Sequence, residues 1–206
     1  MRIIFILITI VGALVLGSCT QENGISVAHD AYFVYNSAYL GNGIELTACD
    51  KWFRLPKGYS PAPDSILQML QASLNNFKDR MFEIEMTHCF LDTMTQSGIL
   101  VTQIKDFTLG SDTTAFFENY SQVLDNLYGH AGVIDGSEVV NDSVLIRYFI
   151  VTDRRIARFQ AICLTNRFDG VELNFFMPDS LYQSKLAIIR SSLSTLKALP
   201  RPDGCQ

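Results

Sequence analysis

The sequence predicts an α+β fold, an antiparallel sheet of about six or more strands in a meander, flanked by three helices that include a C-terminal helix. Runs of β-branched and aromatic residues alternate with short connections, which join antiparallel strands because a parallel crossover needs about a dozen residues or more. Helical periodicity is confined to three separate stretches. The 206 residues are 48% hydrophobic and 18% charged, which suits one sizeable core and excludes a disordered chain.

The first elements of the folded part are predicted to be extended. Aromatic and β-branched residues favour a strand over residues 31–40. The Gly-Asn-Gly segment at residues 41–43 predicts a turn, with another strand starting at residues 44–47. Residues 52–55 are predicted to be a short extended piece, because Pro56 disfavours the helical conformation of the residue before it.

The first helix is predicted over residues 64–81, where six apolar side chains recur on one face. These are Ile66, Met69, Leu70, Leu74, Phe77 and Met81. Ser65 and Gln68 have capping-box spacing, so the helix should begin at residue 64 or 65. The period then changes to two over residues 82–87, which predicts a half-buried strand.

A hairpin and a second helix follow. Residues 96–98 predict a turn and residues 99–104 predict the returning strand. Helical spacing over residues 113–128 predicts a helix that ends at Gly129. Its inward residues are predicted to be Phe116, Phe117, Tyr120, Val123, Leu124 and Leu127.

The remaining chain predicts four consecutive strands and a last helix. The strand-like runs are residues 132–140, 144–152, 156–165 and 170–177. The helix is predicted near residues 180–197, and Ser180 with Gln183 repeats the capping-box spacing. Its inward residues are predicted to be Tyr182, Leu186, Ile189, Leu193 and Leu196.

The N-terminal residues have the form of a secretory signal. Residues 1–18 contain one basic residue and an apolar run too short to span a bilayer. The segment Leu16-Gly17-Ser18-Cys19 resembles the lipobox of bacterial lipoproteins, whose cysteine is diacylated before cleavage. The resemblance implies a lipid anchor on Cys19, and through it membrane association.

The lipobox also sets the expected organisation and location of the chain. Behind the signal peptide we expect the lipidated cysteine and a tether over residues 19–30, one α+β domain over residues 31–199 and a tail over residues 200–206. Thr20 follows the cysteine where an aspartate would retain a lipoprotein in the inner membrane. We therefore expect an outer-membrane lipoprotein of the cell envelope, facing the periplasm or the surface.

Four cysteines remain once the lipidated one is set aside. They are Cys49, Cys89, Cys163 and Cys205. An oxidising compartment permits disulfides among them, and three complete pairings are possible; buried or unpaired thiols are the alternative. The sequence has no CxxC motif, so it indicates neither a thioredoxin-type redox pair nor a zinc knuckle.

The sequence holds no recognisable catalytic constellation. His88 and Cys89 are adjacent, but neighbouring side chains of a strand point to opposite faces, so they cannot form a hydrogen-bonded dyad. His88 is expected to continue the face of Met86 as a half-buried histidine. No GxSxG, GxGxxG, P-loop or HxxxH pattern occurs. We therefore expect a protein that is not an enzyme and has no cofactor or metal.

The net charge and the positions of the arginines indicate which classes of partner the chain can bind. The net charge of −5 gives no electrostatic footprint for nucleic acid. Five arginines of the predicted meander nevertheless cluster in sequence, either as a patch for an anion or an acidic partner or as charges at hairpin tips. They are Arg147, Arg154, Arg155, Arg158 and Arg167.

Two segments resemble the Mog1/PsbP/DcrB-like group of small secreted or peripheral α+β domains. Residues 53–59 match its aromatic-x-Leu-Pro-x-Gly-aromatic opening, and residues 188–193 match its closing helix. The resemblance covers residues 52–199 and implies an accessory or binding role. We therefore expect a non-catalytic domain that binds a protein or envelope component; the alternatives are an immunity or inhibitor lipoprotein against a toxin and a small-ligand-binding lipoprotein.

Overall fold

The computed structural model describes most of the predicted folded part. The described residues are 35–46, 50–75, 84–104, 117, 118, 120, 122, 133–140, 144–152, 155–165 and 170–199. The signal peptide, Cys19, the tether, the C-terminal tail, Gly129 and much of the second predicted helix lie outside them. Within these residues, no helix is long and apolar enough to cross a membrane.

The described elements agree with the predicted α+β class. The strands are β1 (Leu40–Leu46), β2 (Lys51–Pro56), β3 (Ser60–Pro61), β4 (Ile84–Asp92), β5 (Ser97–Ile104), β6 (Val133–Val140), β7 (Val144–Thr152), β8 (Ile156–Thr165), β9 (Gly170–Pro178) and β10 (Lys197–Ala198). The helices are α1 (Asp64–Asn75) and α2 (Tyr182–Leu193), with short 3-10 segments at Ser37–Tyr39 and Asp179–Leu181. Phe117, Glu118, Tyr120 and Gln122 are also helical, as predicted.

Seven strands form one antiparallel sheet in the order β3-β4-β5-β9-β8-β7-β6. The four strands β6 to β9 make the predicted meander, and their bounds differ from the prediction by at most one residue. The meander then ends, because β9 pairs with β5 of the earlier hairpin. The hairpin turn lies just before Ser97, so Ser97 and Gly98 belong to β5 rather than to the predicted turn.

A second, three-stranded sheet has the order β1-β2-β10 and corrects the N-terminal prediction. The strand predicted over residues 31–40 is not formed at residues 35–39, where Asn36 caps a 3-10 turn by accepting a hydrogen bond from the Ala38 N–H, and the described strand begins at Leu40; residues 31–34 lie outside the described residues. The Gly-Asn-Gly segment is not a turn but part of β1, where the register shifts between Leu40 and Gly43. A Cβ on Gly43 would collide with the Trp52 ring, so only glycine fits under that indole.

The last helix also differs from the prediction, since α2 ends at Leu193 and not near residue 197. Lys197 and Ala198 instead pair with β2, and the Leu199 N–H donates to the Asp50 carbonyl at 2.8 Å. Ser180 is not the predicted cap, because it lies in the 3-10 segment and the N-cap of α2 makes no side-chain hydrogen bond. The predicted inward residues of the helix are buried, including Leu196 beyond its end.

The main core lies between the large sheet, α2 and the three-stranded sheet. We call the sheet face that packs there the inner face. The largest buried side chains on the inner face include Ile146, Phe159 and Phe175. Residues of all three layers, among them Phe53 of β2 and Tyr182 of α2, belong to this one cluster.

Helix α1 packs on the opposite face, which we call the outer face. Leu70 is buried against Cys89, with Ile66 and Leu67 packed beside them. Met69, predicted to point inward, is 39% exposed, since Leu67 takes its place at the contact. The helix begins at Asp64, as predicted. The side chains of Leu74, Phe77 and Met81 lie outside the described residues.

Candidate functional site

The outer face carries two apolar clusters that are separated by polar side chains. One cluster lies under α1 and contains Leu70 and Cys89, with Leu100 packed against it. The other is formed by Ile104, Phe117, Phe149, Ile162 and Leu164. The middle strands of the sheet run between these two clusters, and the polar side chains lie at the centre of this face.

Five polar residues occupy that centre, and we call them the central polar cluster. They are Thr102 on β5, Arg158 and Gln160 on β8, and Glu172 and Asn174 on β9. Gln160 lies directly opposite Asn174, and Thr102 lies directly opposite Glu172. Directly opposite residues have Cβ atoms about 4.5–5.5 Å apart, so each pair can share one bound group.

Two amide oxygens of this cluster are buried and accept no hydrogen bond from any residue that the structure describes. They are Oε1 of Gln160 and Oδ1 of Asn174. Gln160 is only 6% exposed. A buried acceptor without a donor costs about 1–3 kcal/mol, and two of them side by side on neighbouring strands can accept from one molecule. A donor that is not part of the described chain, either ligand or ordered water, fits this position.

Arg158 adds positive charge to the cluster. It is 8% exposed, and burial lowers the pKa of its guanidinium while the neighbouring Tyr120 acts in the opposite direction. On the neighbouring strand β9, Glu172 supplies a half-buried carboxylate two residues before Asn174. The cluster thus offers acceptors of both kinds, neutral and anionic, beside one buried cation.

The predicted arginine patch is distributed over several environments. Arg147 lies on β7 with its guanidinium carbon 4.5 Å from the centre of the Phe117 ring. Arg158 is in the central polar cluster, whereas Arg155 is exposed between β7 and β8. Arg154 and Arg167 lie outside the described residues, and a shared anion patch stays a prediction.

His88 and Cys89 point to opposite faces of β4. The His88 ring stacks on Phe90 of the inner face with 5.9 Å between ring centres, whereas Cys89 is buried beneath α1. Burial raises the pKa of the Cys89 thiol to about 12 and lowers that of His88. The expectation that His88 shares a face with Met86 is wrong, because a bulge between them shifts the register and leaves Met86 with Cys89.

The thiols of Cys89 and Cys163 are free and buried. Cys163 belongs to the inner core, and burial raises its pKa above the ordinary value. Neither residue therefore takes part in a disulfide. Among the predicted bridges, the pairing of Cys49 with Cys205 remains, and both lie outside the described residues.

A buried ion pair on the inner side was not predicted. Lys185 of α2 donates to an Asp92 carboxylate oxygen at 3.0 Å and to the Thr95 hydroxyl at 3.0 Å, and its ammonium lies 5.1 Å from the Tyr59 ring centre. Burial alone would raise the pKa of Asp92, but hydrogen bonds from Thr95 and Lys185 hold it below its usual range. Burial raises the pKa of Tyr59 to about 12. Since each charge has a partner, we assign this group a structural role.

Two further features complete the survey of the described residues. They contain no group of three or more His, Cys, Asp or Glu side chains that could hold a metal ion. A groove of about 270 Å³ lies between Gly41, Asn42 and Ile44 of β1 and residues 55–61. Part of the aromatic-x-Leu-Pro-x-Gly-aromatic segment therefore lines a surface recess.

Comparisons with known proteins give no family. No family model and no curated protein sequence matches the chain. Among solved structures, the solution structure of cyanobacterial PsbP (CyanoP) from Synechocystis is similar, with a TM-score of 0.49 and 16% identity over 89% of this chain and 98% of that chain. This neighbour is a PsbP protein, one of the groups named in the sequence resemblance, at an identity that establishes neither a shared family nor a shared function.

Proposed function

We propose that the chain is a lipid-anchored envelope protein whose folded part binds a ligand without catalysis. The anchor is supported by the lipobox segment ending in Cys19. The binding role is supported by one observation above all: Gln160 and Asn174 are directly opposite in register, and the buried amide oxygen of each accepts no hydrogen bond within the described part of the chain. A binding domain places unpaired acceptors where a bound molecule supplies the missing donors.

The chemistry of the central polar cluster defines the ligand class. Gln160 and Asn174 call for hydroxyl or amide donors. Arg158 and Glu172 bring one charge of each sign to the same cluster, so the cluster has no net charge that would select a cationic or an anionic ligand. The site therefore fits a neutral envelope component rich in hydroxyl and amide groups, which corresponds to the small-ligand-binding alternative rather than to a toxin inhibitor.

The anchor is tested by replacing Cys19. Cys19→Ala should move the protein from the membrane fraction to the soluble fraction and abolish labelling by radioactive palmitate, because the acylated thiol is lost. Cys89→Ala is the matched control and should leave both readouts unchanged, since that thiol is buried in the folded part. A Cys19→Ala protein that stays in the membrane fraction would contradict lipid anchoring.

The binding site is tested with N-acetylglucosamine, a neutral probe that has both hydroxyl and amide donors, and with glucose, which has hydroxyls alone. Binding to the folded state should raise Tm with probe concentration. The rise should disappear in the double variant Gln160→Met/Asn174→Leu and persist in Gln183→Met, a matched change at an exposed position of α2.

The opposite result identifies water as the missing donor. If neither probe raises Tm and the double variant unfolds at the same or a higher temperature, an ordered water satisfies the two oxygens. The central polar cluster is then a structural feature, and the binding proposal at this site fails.

A further inference from the structure

We propose that the outward side of the three-stranded sheet lies against the surface of an anionic phospholipid membrane, an inference that rests on the lipid anchor of the proposed function. The surface consists of Tyr35, Tyr39, Trp52, Arg54, Lys57 and Lys197, and we call it the tether-side surface. The juxtaposition of its aromatic rings and cationic groups, next to the start of the described chain, carries the proposal.

Exposure and alternation place the rings of this surface toward solvent. Trp52 and Arg54 are half-buried and alternate along β2 with the fully buried Lys51, Phe53 and Leu55, so both point away from the core. Tyr35 is 55% exposed and Tyr39 is 38% exposed, which makes them two of the few large apolar side chains of the described residues that face solvent.

Hydrogen bonds and one cation–ring contact connect neighbouring members of this surface. Arg54 donates from Nη1 to the Tyr35 hydroxyl at 3.1 Å and from Nε and Nη2 to the Gly41 carbonyl. The Lys57 N–H donates to the Tyr39 carbonyl at 2.9 Å, which places Lys57 beside that tyrosine. Lys197 lies over the Trp52 ring, 4.5 Å from its centre.

The residue types match what a membrane–water interface selects. Tyrosine and tryptophan concentrate at the headgroup level, because their rings are apolar and their polar atoms need water. Among the described residues of this side, three cations stand against the exposed carboxylate of Glu45, which lies opposite Trp52 in the register, and the half-buried Asp50 beside β2. A local excess of positive charge in a chain of net charge −5 is complementary to anionic headgroups.

The length of the tether keeps this surface close to the membrane. Fifteen residues lie between Cys19 and Tyr35, so sixteen Cα–Cα steps join them. A chain of that length cannot span more than about 55 Å, whatever its conformation. The tether-side surface includes Tyr35, the first described residue, so the anchor limits how far this surface can lie from the bilayer. A weak attraction then acts at high effective concentration.

Trp52 itself reports the docking, because it is the one tryptophan in the sequence. The processed lipoprotein is reconstituted in vesicles of phosphatidylethanolamine with phosphatidylglycerol and, separately, in vesicles of phosphatidylcholine. In the anionic vesicles we expect Trp52 emission to shift to shorter wavelength and to be quenched by brominated lipid. In phosphatidylcholine vesicles both effects should be much weaker.

Charge reversal identifies the surface responsible. Each basic residue contributes roughly a fivefold gain in affinity for an anionic surface, so Lys57→Glu/Lys197→Glu should weaken docking by about 25-fold or more and abolish the anionic-lipid effect. Arg155→Glu, a reversal at an exposed site outside the surface, is the matched control and should keep the effect. Equal quenching in both lipids, or quenching unchanged by the double reversal, overturns the proposal.

The same samples separate failure of the anchor from failure of the surface. Mass spectrometry of the purified protein shows whether Cys19 carries acyl chains. If it does not, flotation of the unacylated chain with the same two vesicle types still tests the surface. Flotation with anionic vesicles that the double reversal abolishes then supports docking, and no flotation at low ionic strength overturns it.

Discussion

Replacing Lys185 by methionine should destabilise the protein by about 3 kcal/mol at neutral pH. The two side chains of the ion pair are 11% and 7% exposed, so the substitution leaves a buried carboxylate on Asp92 without its countercharge. Removing one partner of a buried pair costs about 3–5 kcal/mol. The low end applies here, because the Met94 and Thr95 N–H groups and the Thr95 hydroxyl still donate to Asp92.

This loss should appear in both chemical and thermal unfolding. For a chain of this size, 1 kcal/mol corresponds to about 2–4 °C, so Tm should fall by about 6–12 °C. Urea unfolding followed by circular dichroism gives the free energy of unfolding directly. Lys57→Met is the matched control, because Lys57 is exposed; it should change the stability by less than about 0.5 kcal/mol.

The pH dependence gives an independent check of the same reasoning. The pKa of Asp92 is lowered in the folded protein, so its stabilising contribution is present above the unfolded pKa of about 3.9 and is lost as pH falls through the folded value. In Lys185→Met, protonation of Asp92 removes the unpaired charge, and the difference from the natural protein should shrink below about pH 4. A loss under about 0.5 kcal/mol at neutral pH, or one unchanged at about pH 3, would refute the argument.

Two further predictions concern glycine fit and thiol chemistry. Gly43→Ala should displace the Trp52 ring and lower the free energy of unfolding, measured in urea, by about 1–3 kcal/mol. Gly41→Ala is the control and should have little effect, because a Cβ there would have ordinary contacts. Equal effects of the two substitutions would contradict the role of Trp52. Cys89 and Cys163 should resist iodoacetamide in the native protein and react after denaturation. Non-reducing peptide mapping should find neither of them in a disulfide; a bridge to Cys89 or Cys163 would overturn the burial argument.

The parts of the fold that follow from local pattern were predictable. The strands β6 to β9 alternate or run apolar between very short connections, and each was placed to within one residue. The parts set by distant segments were not. β10 exists because Leu199 reaches the Asp50 carbonyl, and Gly43 remains inside a strand because an indole from β2 covers it.

The candidate site was only partly accessible from the sequence, for the same reason. Polar residues at alternate positions of β8 and β9 are typical of a solvated sheet face, so Gln160 and Asn174 gave no signal of burial. Their burial depends on what packs over the outer face. The Lys185–Asp92 pair joins residues 93 apart in the sequence, a contact that no local period indicates.

The joining of β10 to β2 has a consequence for biogenesis. Arg54 near the start of the fold donates its N–H to the Thr195 hydroxyl, a contact between residues 141 apart, and β5 likewise closes on β9. Neither sheet can be completed until the last strands have been synthesised and delivered. Contacts this distant in sequence are typical of slowly folding chains. If the chain is exported as proposed, both sheets can close only after the final strand has left the export channel.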